Sequence, residues 1–294
     1  MTAIAFIGLG EAGGLLARGL LASGADVRAA YDILIHDPAK RNSLLAKTQE
    51  IGLAAAEDPG AAVRGAEVVI SAVVSDQMVI AARTVAPHLQ PGQFYLDINS
   101  ASPRMKREAA DLVTARGAEF VEAAVMDLVP PHGHKVPMLL AGAKAQPLAA
   151  ILAGHGMNTR AVGVEIGSAS AIKMIRSVFM KGFTAILIEC LAAAHKLGAE
   201  EEILSSLQVS FPDLDWRKTA DYYAPRLVKH SRRQAAEMHE VSETLEELGI
   251  QPITALASAH RLQWLADLKL DDSPHGIAKT YPELLRAIAK AERG

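Results

Sequence analysis

The 294-residue chain contains one cysteine and few aromatic residues, and its charges nearly cancel. The single thiol, Cys190, cannot form an intramolecular disulfide, and it excludes a structural zinc site built from several thiolates. Because Cys190 lies in an apolar segment, residues 185–191, we expect it to be buried and unreactive. An aromatic fraction of 4% leaves few rings for a stacking pocket, which disfavours a purely aromatic substrate.

The sequence also lacks a strong excess of charge of either sign. A formal net charge of -3 excludes a nucleic-acid-binding surface that extends over the whole chain, so we predict no nucleic-acid partner. Any anionic ligand must therefore be bound by a local cluster of positive side chains.

Long uncharged apolar segments are scarce as well. No segment approaches the roughly 18 uncharged apolar residues that cross a bilayer, so we predict no membrane partner. The apolar N-terminus has no basic start and contains Glu11 and Arg18, which argues against a signal peptide. We therefore expect a soluble, cytoplasmic protein. With 50% hydrophobic residues the chain can bury a large core, and its length suits two domains.

Short apolar runs alternate with helical segments in the first half of the chain. The runs are typical of buried strands and cover residues 3–7, 27–31, 67–74, 94–98, 119–123 and 137–141. Helical segments lie between them, for example at residues 15–23, 75–86 and 102–115. This alternation predicts an α/β domain with a mostly parallel sheet and right-handed crossovers.

The second half of the chain has helical periodicity throughout. Its helical segments cover residues 168–197, 200–209, 224–248, 254–268 and 281–292. We therefore predict an α/β domain over residues 1–163 and an all-α domain over residues 164–294, joined by the long helix.

A glycine-rich turn follows the first predicted strand at once and opens a helix: Gly8-Leu9-Gly10-Glu11-Ala12-Gly13. In this pattern Gly8 permits a tight turn, Gly10 lets a pyrophosphate approach the backbone, and Gly13 allows close helix–strand packing. The helix N-terminus adds N–H groups and the positive end of the helix dipole. Strand, turn and helix together predict a Rossmann-type dinucleotide-binding domain, whose six turn residues bind the cofactor.

Asp32 lies at the end of the second predicted strand, where a carboxylate can accept hydrogen bonds from a ribose diol. The same carboxylate would repel a 2′-phosphate, which favours NAD over NADP. Lys40 and Arg41 follow closely and could offset that repulsion, so NADP stays open. Val74 and Ser75, at the end of the run 67–74, are also predicted to contact the cofactor.

The chain resembles the β-hydroxyacid dehydrogenases, the family of 3-hydroxyisobutyrate and 6-phosphogluconate dehydrogenases, from the glycine turn through residues 96–100 to residues 167–173. Family members carry an Asp-x-Ser/Asn-Ser/Thr turn that contacts nicotinamide and substrate. The resemblance implies this role for Asp97, Asn99 and Ser100. A family lysine near the start of the long helix transfers a proton, which implies the same role for Lys173.

The C-terminal part most resembles a subgroup whose helical domain has no assigned function; the residues that carry this are Arg226, His230, Arg232, Arg233, Glu237 and Met238. Two departures from the family change the expected substrate. The family's Ser-Gly-Gly, which anchors the substrate, is here Met126-Asp127-Leu128, and its asparagine four residues after the lysine is here Ser177. The catalytic acid of 6-phosphogluconate dehydrogenases corresponds to Met180, so we do not expect oxidative decarboxylation of 6-phosphogluconate.

Lys173 lies in an apolar stretch, residues 169–175, which lowers the pKa of a lysine and lets it exchange a proton near neutral pH. Arg176 and Ser177 follow at helical spacing and are predicted to act beside it. We expect the substrate to contact Ser100, Met126, Asp127, Arg176, His230 and Arg233. For the basic stretch 226–233 the alternative is a solvated face paired with Glu237, Glu240 and Glu243.

His132 and His134 could suggest a metal site, but no third ligand lies near them in sequence. A glycine-containing turn between two strands is the better interpretation, and we predict no metal.

These features together predict an NAD(P)-dependent oxidoreductase that transfers a hydride between the nicotinamide and a hydroxy acid, in particular a 3-hydroxy acid, or a related alcohol or carbonyl compound. The helical domain would bind an anionic small-molecule substrate and form a homodimer through the long helix, as in relatives. Two alternatives stay open. One is an imine reductase of the same architecture, and the other is an NAD(P)-binding sensor without turnover.

Overall fold

The computed structural model describes residues 2–272 and 277–293, and it divides the chain into two compact units, Met1–Lys173 and Met174–Gly294. The predicted domain boundary at residues 163 and 164 lies before the long helix, whereas this division lies within its second turn.

The first unit contains an eight-stranded sheet: β1 Ala3–Ile7, β2 Asp26–Tyr31, β3 Ala54–Ala55, β4 Val68–Ser71, β5 Phe94–Asp97, β6 Glu119–Val125, β7 Met138–Ala141 and β8 Thr159–Gly163. The strand order is β3-β2-β1-β4-β5-β6-β7-β8. All neighbouring strands are parallel except β6 and β7, which a short irregular connection joins as an antiparallel pair. The predicted mostly parallel sheet is therefore confirmed.

Seven helices accompany the described strands of this unit: α1 Glu11–Ala22, α2 Arg41–Ile51, α3 Pro59–Val63, α4 Met78–Val85, α5 Pro103–Thr114, α6 Val129–His132 and α7 Ala145–Ala153. Every residue of β1, β4 and β7 is buried, because these strands are covered on both faces. Since parallel strands end at the same edge, the residues after β1, β4 and β5 lie close together, and the candidate site is built there.

The second unit is helical throughout its described residues. The long helix α8, Ser168–Leu197, begins in the first unit and continues into the second, where α9 Glu200–Ser210, α10 Trp216–Glu247, α11 Ile253–Asp267 and α12 Tyr281–Ala291 follow. Its core is formed by apolar residues that include Leu191, Leu204, Met238, Val241, Leu262 and Leu265. This confirms the predicted fold class, an α/β domain followed by an all-α part.

Helix α10 begins earlier than the predicted segment 224–248. The Asp215 side chain accepts a hydrogen bond from the Lys218 N–H at 3.1 Å and caps the helix, which then continues through Pro225. A proline interrupts only part of the hydrogen-bond ladder, and tertiary packing maintains the rest of this helix.

By length and composition alone, α8 could cross a membrane. It contains an 18-residue window with a mean hydropathy of 1.6, of which 44% is buried. A core helix of a soluble protein meets the same criterion.

Cys190 is partly exposed, which corrects the expectation of a buried thiol. The face of α8 that carries it borders a cavity of about 710 Å³, lined also by Leu187 and Trp216.

Candidate cofactor and active site

The turn between β1 and α1 can be built only with glycine at two positions. Gly8 has a φ of +87°, and a Cβ atom there would lie 2.4 Å from the Ala72 carbonyl oxygen. A Cβ atom on Gly13 would lie 2.5 Å from the Gly8 carbonyl oxygen. Glycine at these two positions therefore lets the N-terminus of α1 pack closely against the ends of β1 and β4.

Gly10 has a different environment, because beyond its own chain neighbours and the backbone of α1 no atom lies within 4 Å of the position that its Cβ would take. It is the exposed N-cap of α1 and provides no side-chain cap. The first N–H groups of a helix, here from Glu11 and Ala12 onward, have no intrahelical acceptor. Backbone donors beside open space form a site that fits the pyrophosphate of a dinucleotide.

Asp32 links this turn to the loop after β2. Its Oδ2 accepts a hydrogen bond from the Leu9 N–H at 2.8 Å, and its Oδ1 accepts one from the Leu34 N–H at 3.0 Å. The half-buried carboxylate is thereby fixed at the end of β2, next to the buried Leu9.

The two cations after Asp32 have acidic partners. Arg41 donates to both carboxylate oxygens of Glu57, at 3.0 and 2.7 Å, and the Lys40 ammonium lies 3.9 Å from Asp37. Binding a 2′-phosphate would therefore compete with these ion pairs.

Lys47, on α2, contacts the glycine turn, and the sequence analysis did not indicate this contact. Its Nζ donates to the carbonyl oxygens of Leu9 at 2.6 Å and of Gly10 at 2.8 Å. A Cβ atom on Gly14 would lie 2.9 Å from the Lys47 Cε, so glycine there leaves room for the lysine chain. The contact places a positive charge at the phosphate-binding turn. The sequence could not predict this contact, because it joins a basic residue in the middle of a helix to a distant part of the chain.

Asn99 connects the loops after β4 and β5. Its Oδ1 accepts a hydrogen bond from the Val73 N–H at 2.6 Å, and its Nδ2 donates to Asp97 Oδ2 at 2.7 Å and to Ser71 Oγ at 3.0 Å. The buried Asn99 amide is thus bound to protein partners on both its oxygen and its nitrogen.

The two loops are joined a second time beside this amide. The Ser75 hydroxyl donates to the Ser100 carbonyl oxygen, and Val74 between the two junctions is 68% exposed. Asn99 therefore supports the loop that presents Val74 and Ser75.

A buried ion pair lies beneath this loop. The Lys106 ammonium donates to Asp97 Oδ1 and, at 3.2 Å, to the Asp97 carbonyl oxygen, and both residues are 0% exposed. The resemblance implied that Asp97 contacts nicotinamide and substrate. In the structure its carboxylate is bound by Lys106 and Asn99 instead, so it supports the loop from below. Lys106 lies in a charged stretch, residues 104–108, that suggests a solvated helix face, and the sequence analysis missed it.

Lys173, a predicted catalytic residue, directly contacts Ser100, which is predicted to bind cofactor and substrate. The Lys173 Nζ donates to the Ser100 Oγ at 2.6 Å, and both side chains are half-buried. An amine and a hydroxyl at this distance can exchange a proton with each other and with a ligand oxygen beside them. The pair belongs to the same unit as the glycine turn.

The segment after β6 is held by local contacts. Met126 is half-buried, and the exposed Asp127 accepts a hydrogen bond from the Leu128 N–H at 2.7 Å and pairs with His132 at 3.2 Å. His134 packs against α1, because a Cβ on Gly19 would lie 2.2 Å from its Nδ1. Burial, followed by the charge of Lys135, lowers the pKa of His134. The two histidines therefore belong to the turn between β6 and β7, and the described residues contain no group of three His, Cys, Asp or Glu side chains that could hold a metal.

The remaining predicted residues lie in the second unit. Arg176 is exposed, and the Ser177 hydroxyl accepts a hydrogen bond from Lys181 at 3.2 Å. Lys181 also pairs with Glu237 at 2.8 Å. Burial raises the pKa of Glu237, but Lys181 and Arg233 outweigh burial and hold that pKa below its usual value.

The exposed Arg233 is bound to this same carboxylate. This ion pair agrees with the alternative interpretation of residues 226–233, in which they form a solvated face paired with glutamates. Burial, together with the charges of Arg233 and Lys229, lowers the pKa of His230.

The few aromatic residues of the chain are concentrated in the second unit, contrary to the expectation that few rings would be available for a pocket. Two cavities of about 560 and about 710 Å³ share Phe179 and Phe183. Six rings contact one another around them: Phe179, Phe183, Phe211, Trp216, Tyr222 and Tyr223. The Arg226 guanidinium lies 3.6 Å above the Tyr222 ring. An apolar or aromatic ligand group therefore has a surface to pack against.

Two parts of the chain match known protein families. Residues 3–128 match the NAD binding domain of 6-phosphogluconate dehydrogenase, and residues 194–265 match a domain of unknown function, DUF1932. The first match includes the glycine turn, Asp32, Asn99 and Ser100.

Solved structures resemble the chain over nearly its whole length. A conserved hypothetical protein from Sinorhizobium meliloti 1021 is 40% identical, with 99% of this chain and 97% of that chain covered and a TM-score of 0.82. Mycobacterium tuberculosis 3-hydroxyisobutyrate dehydrogenase is 17% identical, with 98% and 99% covered and a TM-score of 0.73. A reductive aminase from Aspergillus terreus is 19% identical, with 98% and 99% covered and a TM-score of 0.56. The last two similarities show a shared fold.

The contact of Lys47 with the glycine turn predicts a role in cofactor binding. Lys47→Met removes the positive charge and two hydrogen bonds from the turn, and we expect it to raise the Kd for NADH about tenfold. Fluorescence titration with NADH measures this, with Lys40→Met as the exposed-lysine control. Equal Kd values for wild type and Lys47→Met would show that this lysine does not contribute.

The buried pair of Lys106 and Asp97 predicts a large loss of stability on removal of the cation. Lys106→Met leaves the Asp97 carboxylate buried without its ammonium partner, which costs about 3–5 kcal/mol of unfolding free energy. Urea unfolding followed by circular dichroism measures the loss, and the exposed Lys144→Met is the control. Adding Asp97→Asn should restore part of the stability, because no unpaired charge then remains. Wild-type stability of Lys106→Met would contradict this account.

Proposed function

Because the chain belongs to the β-hydroxyacid dehydrogenase family, in the subgroup whose C-terminal domain has no known function, we propose that it is an NAD(P)-dependent oxidoreductase acting on a hydroxy acid. One observation carries the proposal. The Lys173 Nζ lies 2.6 Å from the Ser100 Oγ, in the unit that also contains the glycine turn. A proton-transfer group and a dinucleotide site within one unit suit the oxidation of an alcohol.

The cofactor proposed for this site is NAD, with NADP as the alternative. Three features of the turn support binding of a dinucleotide: the open space at Gly10, the N-terminus of α1 and the ammonium of Lys47. The carboxylate of Asp32 at the end of β2 would accept hydrogen bonds from a ribose diol and repel a 2′-phosphate. The pairing of Arg41 with Glu57 also favours NAD, because that guanidinium already has an anionic partner.

When bound, the nicotinamide supplies the hydride transfer. The protein's own residues handle the proton and the orientation of the substrate. In the oxidation of an alcohol, Lys173 in its neutral form would accept the proton of the hydroxyl group, while the carbon that bears this group would lose its hydride to an oxidised nicotinamide, and a carbonyl results. In the reverse direction the Lys173 ammonium donates that proton to the carbonyl oxygen. Ser100 orients the Lys173 amine, and Asn99 holds the loop that carries Ser100.

A 3-hydroxy acid is the proposed substrate class. Its carboxylate would be bound by hydrogen-bond donors of the second unit, for which the candidates are the guanidinium groups of Arg176 and Arg233 and the imidazole of His230. Ser177, Met126 and Asp127 are the further proposed contacts. Met126-Asp127-Leu128 replaces the glycine-containing segment of the family, so we propose a substrate other than the usual small hydroxy acids.

Reduction of imines is a second candidate. The shared fold with the reductive aminase and the aromatic cavities of the second unit favour it, since cyclic imines are largely apolar. A basic lysine at the proton-transfer position speaks against it. A protein that binds NAD(P) as a sensor is the third candidate, and it would show no turnover with any compound.

The proposed assembly is a cytoplasmic homodimer. Apolar side chains along α8 are exposed, with Ile175 at 46%, Phe179 at 74% and Ile186 at 65%. Burying such a row of side chains against a second copy would stabilise a dimer.

The proposal predicts that Lys173→Ala abolishes turnover and leaves cofactor binding intact. A panel of 3-hydroxy acids, sugar acids, aromatic hydroxy compounds and cyclic imines, followed by nicotinamide absorbance with both cofactors, identifies a substrate. On that substrate we expect kcat to fall at least about a hundredfold, because general acid–base catalysis typically contributes this much. The Kd for NADH should stay within about twofold, since Lys173 lies on α8, outside the glycine turn that is proposed to bind the phosphates.

The control is Lys196→Ala, which removes an exposed lysine of the same helix that pairs with Glu292. Unchanged turnover of Lys173→Ala would end the proposal, and turnover of imines alone would replace it by the second candidate.

A further inference from the structure

Two buried carboxylates lie side by side on neighbouring strands. Asp97, the last residue of β5, is the register partner of Glu122 on β6, and both are 0% exposed. Burying a carboxylate is costly unless hydrogen-bond donors surround it, so each of these residues must have a dedicated set of donors.

The donors of Glu122 come from the start of the helix that carries Lys173. Its Oε1 accepts hydrogen bonds from the backbone N–H groups of Gly167 at 2.7 Å and Ala169 at 2.9 Å, and its Oε2 accepts one from the Ser170 hydroxyl at 2.8 Å. Glu122 thus satisfies N–H groups at the beginning of α8 that have no acceptor within the helix. The negative charge also complements the positive end of the helix dipole.

The beginning of α5 also packs closely against the start of α8. Gly167 has a φ of +106°, and a Cβ atom there would lie 3.1 Å from the Pro103 Cβ at the beginning of α5. Lys173 follows Ala169 by four residues, about one helical turn, so the position of its amine depends on where the helix begins.

The other carboxylate, Asp97, fixes the partner of Lys173. Its Oδ1 accepts a hydrogen bond from the Asn99 N–H at 3.2 Å, and its Oδ2 accepts one from the Asn99 Nδ2. Ser100 is the next residue, so its position depends on this turn. One carboxylate therefore holds the strand end before Ser100, and its register partner holds the helix start before Lys173.

We propose that Glu122 is a positioning residue for Lys173, and that together with Asp97 it sets the contact between the Lys173 amine and the Ser100 hydroxyl. This inference rests on the proposed function of Lys173. The side chain of Glu122 acts through its length and its acceptor oxygens, which fix the first turn of α8.

A buried amide elsewhere in the same unit provides a matched control. The Gln93 side chain also makes three hydrogen bonds, to the Val63 and Ala66 carbonyl oxygens and to the Gln90 N–H. It precedes β5 and therefore lies at the opposite edge of the sheet from the site. Gln93→Ala should lower stability without affecting Lys173.

The experiment measures the reactivity of the Lys173 amine in the full-length protein without ligands. Trinitrobenzenesulfonate labels lysine amines, and peptide mass spectrometry gives the rate at Lys173. Hydrogen–deuterium exchange of the peptide that covers residues 166–173 is followed in parallel. Both readouts are independent of the identity of the substrate.

Glu122→Ala should raise the labelling rate of Lys173 at least about fivefold and speed exchange in residues 166–173 about tenfold, because the helix start loses its acceptors. Glu122→Gln keeps the length and an acceptor oxygen, so its rates should stay within about threefold of wild type. With the substrate from the panel, Glu122→Ala should lower kcat about tenfold or more at nearly unchanged KM, and the glutamine variant should restore it.

Labelling of Lys173 at the wild-type rate in Glu122→Ala would overturn the proposal, and so would an equal increase in Gln93→Ala. If Glu122→Ala does not fold, Ser170→Ala removes one of the three donors and should raise the labelling rate about twofold, whereas no increase would count against the role of Glu122. If Lys173→Ala retains turnover, the proposed function fails, while the labelling and exchange rates still decide whether Glu122 positions the lysine.

Discussion

The amide of Asn99, with the carboxylate of Asp97 beneath it, is the contact on which the candidate site depends. It joins the end of β4 to the end of β5 through Val73 and Ser71. In an open parallel sheet the backbone hydrogen bonds between neighbouring strands stop where the strands stop, so side-chain contacts are needed to hold the loops that follow. The Lys106 ammonium neutralises the carboxylate that orients this amide. A neutral, fully bonded polar network can stay buried at this edge and leave the outer groups, such as Ser100, for ligands.

The sequence predicted those parts of the site that depend on local geometry. Gly8 and Gly13 follow a buried strand at fixed spacing, and the close contacts at their Cα atoms give the reason for glycine. The predicted helix 168–197 has the observed bounds, because its helical pattern is interrupted only by Gly182, and the helix continues through that residue. The short strands β3 and β8 were missed, since β3 has two residues and none of the five residues of β8 is buried, which leaves little pattern.

Contacts between distant parts of the chain could not be predicted. Lys47, Lys106 and Glu122 lie in segments that look solvated or merely alternating, and only the fold brings them to the glycine turn, to Asp97 and to the start of α8. Overall composition misled for a similar reason. An aromatic fraction of 4% is low for the whole chain, yet the fold gathers rings such as Phe183 and Trp216 around cavities of the second unit. The composition of a whole chain does not show which of its residues contact one another in the fold.

A crystal structure of the full chain with NAD⁺ bound tests the central claim most directly, since that claim joins a dinucleotide site to the Lys173–Ser100 pair. The account predicts the pyrophosphate on the N–H groups of Glu11 and Ala12, and the nicotinamide ring within about 4 Å of Ser100, close enough for reaction beside Lys173. A nicotinamide that lies far from Ser100 and Lys173, or a dinucleotide bound away from the glycine turn, would contradict the account.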